Sequence, residues 1–369
     1  MTKKERILSI LVILQTLAIL ALITTIVYIR FYVRDQLKNN LVNYVTVSEI
    51  ESTTTSVEKV ELSLNVSSSL VWWDQDEGFD SIQEYAKYMY SVSPFWYELD
   101  VEGNITNFSG AEDSEIVKYL QDNDIKIIPI ISNEFIAEPL ASIIADETKK
   151  SDHISDILAI ANDYDGISMN YENLDEADKN NYTLFVKELA EELHKENKLL
   201  SVHLHAKTEE PGTWNGPMGQ DWEELGKVCD KLKIMAYDYH WSTSEAGAIA
   251  PSSWVEEVIQ HALELIPKEK IYLGIPLYGY NWIGEVGQGV TYTEAITLSE
   301  LNNATVQVDT ETTSPYFTYT DSENNDHEVW FENSASTKKK IDLAKQYELG
   351  GVDFWRLGGE DNEMWEELE

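Results

Sequence analysis

The chain has 369 residues, of which 43% are hydrophobic and 11% aromatic, enough for one large domain or two smaller ones. Its formal net charge of −39 at pH 7 excludes a nucleic-acid partner, because phosphate contacts need basic surface patches. The one cysteine, Cys229, excludes an intrachain disulfide, and no Cys/His spacing indicates zinc, so we expect a hydrophobic core without a metal or other cofactor.

Residues 7–29 carry no charged side chain and predict a transmembrane helix. As a helix this run would span about 34 Å, enough to cross a bilayer. It passes directly into Arg30 without a small-residue cleavage site, which favours an uncleaved anchor over a signal peptide. We therefore assign residues 1–34 to a cytoplasmic end and an anchor. Three basic residues lie on each side of the run, so charge alone does not decide its orientation.

Residues 35–65 are rich in Ser, Thr and Glu and show no clear apolar period. Such a composition is typical of a linker. We expect a tether between the anchor and the domain that follows.

From residue 66 onward, one unit repeats: a short apolar run followed by an amphipathic helical pattern. This alternation predicts an α/β fold with a parallel sheet, and eight runs predict a (β/α)8 TIM barrel. The clearest helix covers residues 182–198. The strand-like runs are residues 70–74, 92–97, 126–131, 165–172, 199–206, 232–239, 271–280 and 351–358.

The interval before the last strand is longer than the others. Within it, residues 283–335 alternate β-branched and aromatic side chains with turn-forming residues. This pattern predicts a small, mainly β insertion. At the carboxyl end of a barrel, such an insertion would wall one side of a cleft.

The fourth run, DGISMNYE, brings a carboxylic acid to its carboxyl end. Because side chains alternate along a strand, Ser168, Asn170 and Glu172 share one face, which we expect to point into the barrel mouth. The apolar residues between them would face the helices. A buried glutamate there should have a raised pKa, as suits a general acid.

Six stretches together resemble glycoside hydrolase family 18, in particular its bacterial cell-wall and spore-cortex N-acetylglucosaminidase branch. They are WWDQDEGFDSI, SPFWYELD, YDGISMNYENL, IMAYDYHW, GIPLYGYNW and GGVDFWRLGGED. The resemblance covers residues 66–369, which we take as the catalytic barrel.

The family's fourth-strand motif is D-x-x-D-x-D-x-E. Asp165 and Glu172 match its first and last acids, whereas Ser168 and Asn170 replace the two between. The resemblance implies that Glu172 protonates the glycosidic oxygen and that the substrate's own 2-acetamido oxygen attacks the anomeric carbon. We place Asp165 among the substrate-binding residues.

Asn170 stands where the family has an acid that holds the acetamide N–H. Asparagine still offers an oxygen acceptor but no negative charge. Losing one charge-assisted hydrogen bond costs about 1.5–3 kcal/mol, or roughly 10–150-fold in rate. Glycoside hydrolase family 85 uses an asparagine in this role, so the substitution is compatible with catalysis.

The resemblance also assigns Tyr237 and Asp238 to the acetamido group and the sugar at the cleavage point. Trp355 matches the tryptophan under the −1 sugar, and Trp96, Tyr280 and Trp282 are further candidates for the cleft. For each of these, an ordinary structural role at a strand end or in the core is the alternative.

His203 and His205 share a face of the fifth run, where a polar cleft wall is favoured over a metal pair.

The leading hypothesis is a membrane-anchored extracellular glycosidase that hydrolyses β-1,4 bonds of an N-acetylglucosamine-containing polysaccharide, either peptidoglycan or chitin-like. The domain is placed outside the cell because such a polymer is met there. The alternative is a catalytically impaired carbohydrate-binding protein of the same fold. Glu172 favours the enzyme and Asn170 favours the alternative.

Overall fold

The computed structural model describes residues 57–369. Within this range the chain forms a closed barrel of eight parallel strands surrounded by helices, which confirms the α/β prediction. The strands are β1 (Asn65–Val71), β2 (Ser91–Leu99), a rim strand β3 (Ile105–Asn107), β4 (Lys126–Ile127), β5 (Ile130–Ser132), β6 (Gly166–Asn170), β7 (Leu199–His205), β8 (Lys231–Met235), β9 (Ile271–Pro276) and, last in the chain, the strand at Gly351–Trp355.

The barrel closes between its first and second strands. Ser67 of β1 pairs with Ser91 of β2 on one side and with Asp353 of the last strand on the other. The third barrel strand is interrupted, so that β4 and β5 lie on either side of Ile128 and Pro129.

The helices alternate with the strands and cover the barrel. They are α1 (Gln75–Tyr85), α2 (Ser114–Asp122), α3 (Ala137–Ile144), α4 (Glu147–Ala161), α5 (Lys179–Lys195), α6 (Asn215–Met218), α7 (Trp222–Val228), α8 (Ser252–Leu265), α9 (Tyr292–Leu301) and α10 (Ser334–Gln346). Helix α5 corresponds to the predicted helix at 182–198. It buries Phe185, Leu189 and Leu193, whereas Leu184 lies on its exposed side.

The predicted insertion is a sheet packed with a helix. Its strands are β10 (Tyr278–Ile283), β11 (Val286–Thr291), β12 (Gln307–Val308), β13 (Pro315–Thr320) and β14 (Asp326–Trp330), so the final barrel strand is β15. The ten-residue helix α9 packs on this sheet and was not predicted. The insertion also begins earlier than residue 283, because a single residue, Leu277, lies between the end of β9 and the start of β10.

The segment before β1 is part of the compact domain from residue 57. Leu64 is buried, and Val57, Val60 and Leu62 pack against the core. The backbone N–H of Val57 donates to Oδ1 of Asn123 at 2.9 Å. The predicted linker at 35–65 therefore does not extend to residue 65 as a free tether.

None of the helices between residues 57 and 369 combines the length and apolarity needed to cross a bilayer. The predicted anchor at 7–29, and the linker as far as residue 56, lie outside the described residues.

Candidate active site

Strand β6 presents alternate side chains to opposite sides of the barrel wall, as predicted. Tyr171 points outward, where its hydroxyl lies 2.8 Å from Nε2 of His153 on α4. Ser168 points inward, and its Oγ lies 3.0 Å from Nε2 of His203 on β7. Asn170 and Glu172 follow on the inward side at the carboxyl end, so the strand period places both at the mouth.

Glu172 is held by two asparagines. Nδ2 of Asn170 donates to its Oε1 at 2.9 Å. Asn133, which follows β5, fixes the backbone: its Oδ1 accepts the Glu172 N–H at 2.8 Å and its Nδ2 donates to the Glu172 carbonyl at 2.9 Å. Within the described chain, the buried Oδ1 of Asn170 has no hydrogen-bond partner. An acceptor beside the carboxyl group is thus left open.

Burial raises the pKa of Glu172 to about 7. The hydrogen bond from Asn170 lowers this pKa, and the negative charges of Asp238 and Glu134 raise it. The predicted direction is confirmed, and the cause is mainly loss of hydration of the charged form. At neutral pH a large fraction of Glu172 therefore carries the proton that a general acid needs.

Asp238 follows β8 and is clamped by the insertion. Tyr278 donates its hydroxyl to Oδ1 of Asp238, and Tyr280 donates to the same oxygen at 3.2 Å. Burial raises the pKa of Asp238, while the two tyrosine hydrogen bonds lower it. The backbone of Asp238 has a left-handed φ of 57°, which turns the chain sharply out of the strand.

Tyr237 precedes Asp238 and packs over Gly274 of β9. A Cβ at Gly274 would lie 3.0 Å from the Tyr237 ring and 2.5 Å from the carbonyl oxygen of Ile234. The missing side chain therefore makes room for Tyr237. Its hydroxyl makes no hydrogen bond to the described residues, and burial raises its pKa well above the usual value.

Trp355 closes the opposite side of the mouth. It lies at the carboxyl end of β15, half-buried, with the ring of Phe95 edge-on at 6.1 Å. The same aromatic group continues to Trp73, 5.9 Å from Phe95, and to Trp72, which stacks on Phe108 at 5.1 Å. A run of aromatic rings, most of them edge to face, thus leads from the floor of the mouth to the exterior, and exposed aromatic rings suit contact with sugar faces.

The structure places three predicted binding residues away from the mouth. Asp165 precedes β6 at the amino end of the barrel, where its Oδ2 accepts the Ile127 N–H at 2.8 Å. Glu172 lies seven positions further along the sequence, a span of about 23 Å in an extended chain. The prediction that Asp165 binds the substrate is therefore wrong, because this side chain anchors strand β4.

Trp96 and Trp282 are also wrong as cleft residues, because both are essentially inaccessible, at 0% and 1% exposure. Trp96 points out of the barrel and donates from Nε1 to Oε1 of Gln75 at 2.8 Å. Trp282 is buried in the insertion against Gly287 of β11. Tyr280 remains a candidate through its contact with Asp238.

Sequence reasoning missed Asn133, Glu134 and Tyr278. Asn133 and Tyr278 act through groups that are distant in sequence. Glu134 follows β5 with a left-handed φ of 47°, and burial and Glu98 raise its pKa. An asparagine and an acid directly after an apolar run were the available signal. Among residues 57–369, no three His, Cys, Asp or Glu side chains are grouped so as to hold a metal ion.

Comparisons with known proteins identify the family of this chain. The family model described as "Glycosyl hydrolases family 18" matches residues 15–360. The chain is 29% identical over 287 residues to the "Putative sporulation-specific glycosylase YdhD" of Bacillus subtilis, covering 75% of this chain and 67% of that protein. It is 32% identical over 250 residues to the "Cortical fragment-lytic enzyme" of the same organism, covering 65% of this chain and 58% of that protein.

Among solved structures, a chitinase from Chromobacterium violaceum superposes with a TM-score of 0.78 at 26% identity. The superposition covers 83% of this chain and 98% of the chitinase. The chain spans less than two thirds of the length of the cortical fragment-lytic enzyme that it matches. The family model, however, covers most of the barrel and both strand ends that carry the site. The chain therefore belongs to family 18 of the glycosyl hydrolases.

Proposed function

We propose that this family 18 glycoside hydrolase cleaves β-1,4 bonds in an N-acetylglucosamine-containing polysaccharide by substrate-assisted, retaining catalysis. Relatives named as a cortical fragment-lytic enzyme and a chitinase support a glycan of this class. The polymer is peptidoglycan or a chitin-like chain.

In the first step, the Glu172 carboxyl proton moves to the glycosidic oxygen as the bond from the anomeric carbon to that oxygen breaks. The carbonyl oxygen of the substrate's 2-acetamido group forms a new bond to the anomeric carbon, which gives an oxazolinium ion. In the second step, water attacks the same carbon, the oxazolinium ring opens to restore the acetamido group, and the Glu172 carboxylate takes the proton from the water. Two inversions retain the anomeric configuration.

The observation that carries this proposal is the buried Oδ1 of Asn170, which has no partner in the part of the chain that the structure describes. Because Glu172 takes the Nδ2 donor, the amide oxygen faces away from the acid and can accept the acetamide N–H. A buried acceptor without a partner is unfavourable in the free protein. A ligand that supplies one N–H at this point would satisfy it. Tyr237 and Asp238 would orient the same group from the β8 side.

We propose further that residues 7–29 anchor the protein in the cell membrane with the barrel outside. The apolar run supports the anchor, and the location of the polymer supports the orientation. Protease added to intact protoplasts should release a fragment carrying the barrel. Protection of the barrel would contradict the outward orientation, and a mature N-terminus beyond residue 29 would contradict the anchor.

The activity is tested by digesting peptidoglycan, chitin oligomers and N-glycans, with mass spectrometry and NMR of the products. The expected result is β-1,4 cleavage after N-acetylglucosamine with retained configuration, abolished in Glu172→Gln. An inactive wild type that still binds these glycans would favour the second candidate, a binding protein impaired at Asn170. Inverted products would exclude the acetamide route.

A further inference from the structure

His205 lies beside the proposed acid, at the carboxyl end of β7. Its Nε2 is 3.8 Å from Oε2 of Glu172. The same Nε2 accepts the backbone N–H of Asn173 at 3.3 Å. A nitrogen that accepts from a backbone N–H carries no proton, so the ring proton is on Nδ1. The imidazole therefore presents a partly negative nitrogen, and no N–H, to this part of the site.

Three neighbouring residues restrict the backbone and the ring of His205. Oε1 of Gln220, a fully buried side chain, accepts the His205 backbone N–H at 2.8 Å. Trp214 packs edge-to-face on the imidazole at 4.7 Å. A Cβ at Gly216 would lie 2.9 Å from the imidazole and 2.3 Å from the Trp214 ring. The glycine thus permits a packing that leaves little room for the imidazole to turn.

The groups that face Glu172 come from four barrel strands. Asn170 on β6 supplies an N–H. Asp238 after β8 and Glu134 after β5 are carboxyl groups, and both raise the pKa of Glu172. His205 on β7 adds the partly negative Nε2. Burial lowers the pKa of His205 to about 4, so the imidazole is neutral at the pH where Glu172 titrates.

We propose that His205 is a positioning residue for the proton donor, whose fixed, partly negative Nε2 disfavours the Glu172 carboxylate and so keeps the acid protonated. The unprotonated nitrogen is the negative end of the ring dipole, and it disfavours a negative charge 3.8 Å away. By accepting the Asn173 N–H, the same nitrogen also withholds a donor from the carboxylate. The consequence for turnover rests on the proposed function, whereas the consequence for the titration of Glu172 does not.

The test measures the titration directly, by carbon-13 NMR of the full-length protein labelled at glutamate side-chain carboxyls. The Glu172 signal is identified by its loss in Glu172→Gln. His205→Phe keeps a ring against Trp214 but removes the partly negative nitrogen, so the Glu172 midpoint should fall by at least about half a pH unit. His261→Leu, at a histidine on the outer helix α8, should leave the midpoint unchanged.

An unmoved or raised midpoint in His205→Phe would overturn the proposal. If His205→Phe does not fold, His205→Leu serves in its place with the same expectation. Activity separates the two proposals. If the enzyme is active, the alkaline limb of its pH profile should move down with the NMR midpoint. A shifted midpoint in a protein without glycosidase activity would sustain the role of His205 and sink the proposed reaction.

Discussion

Asn170 donates to Oε1 of Glu172 at 2.9 Å, and its own buried amide oxygen has no partner among residues 57–369. One side chain thus faces two groups with opposite requirements, an acid that accepts and an open position that needs a donor. An aspartate can accept on both sides but offers no N–H when ionised. The family's usual acid at this position would therefore interact differently with Glu172.

The activity of the wild-type enzyme should fall as the pH rises through about 7. The active form of Glu172 is protonated and its pKa is raised to about 7, so deprotonation removes the acid. The measurement is kcat/KM against pH on a soluble N-acetylglucosamine oligomer. Glu172→Gln should lose at least ~10²-fold, with Glu115→Gln on α2 as the control. A rate that stays constant up to pH 9 would contradict Glu172 as the donor.

Asn170→Asp should move the alkaline limb to higher pH. The change removes the hydrogen bond that lowers the pKa of Glu172 and adds a negative charge beside it. Asn170→Ala should lose the hydrolytic activity of the wild type and its affinity for a thiazoline analogue of the intermediate, because the acetamide N–H loses its acceptor. Full activity in Asn170→Ala would show that this side chain does not touch the substrate.

Tyr278→Phe should move the acidic limb to higher pH. Its hydroxyl stabilises the Asp238 carboxylate, so the pKa of Asp238 should rise further when the donor is lost. If the ionised form orients the acetamide, the rate at low pH should fall by about tenfold, the scale of a hydrogen bond to a charged group. Tyr316→Phe on β13 is the control. An unchanged acidic limb would mean that Asp238 works protonated or not at all.

We expect Trp96 to contribute to the stability of the fold and Trp355 to contribute to substrate binding. Trp96→Phe should lower the free energy of unfolding by about 1–3 kcal/mol with KM unchanged, since it creates a gap and leaves Gln75 without its donor. Trp355→Ala should raise KM by about tenfold or more, because it removes an aromatic contact beneath the sugar. Denaturant melts and steady-state kinetics check both, and a KM effect from Trp96→Phe would contradict its place in the outer core.

Lys231→Met should stabilise the fold at neutral pH. Burial lowers the pKa of Lys231 to about 7, although its Nζ lies over the rings of Tyr90 and Tyr272. The unfolded lysine holds its proton to about pH 10.4, so this group makes stability rise between about pH 7 and pH 10 and costs most below pH 7. The variant's unfolding free energy should lose that slope. A slope equal to the wild type would show that Lys231 stays charged in the fold.

The sequence was most informative where period-two alternation applies over a whole strand. The inward set of β6 follows from the apolar Ile167, Met169 and Tyr171 between its polar residues. The same rule would have excluded Trp96, because Ser91, Ser93 and Phe95 form the inward set of β2. There the aromatic character of the residue was weighed above its position.

Other parts of the site depend on tertiary structure that no local pattern reports. Tyr278 and Tyr280 meet Asp238 only because β10 leaves the barrel directly after β9. Trp282 is buried by pairing with β11 and β14, whose register the sequence does not specify. Asp165 matched a family motif, but a motif does not say which end of the strand carries chemistry. Strand length decides that.

The packing of residues 57–64 has a mechanical consequence. These residues pack over the end of the barrel where the strands start, next to Asp165 and Lys126. The proposed catalytic groups lie at the opposite end, where the strands finish. The chain therefore enters the compact domain, at residue 57, on the face opposite the mouth. A force applied to the chain at residue 57 would therefore act on the face that carries the strand starts, and not on the loops that shape the mouth.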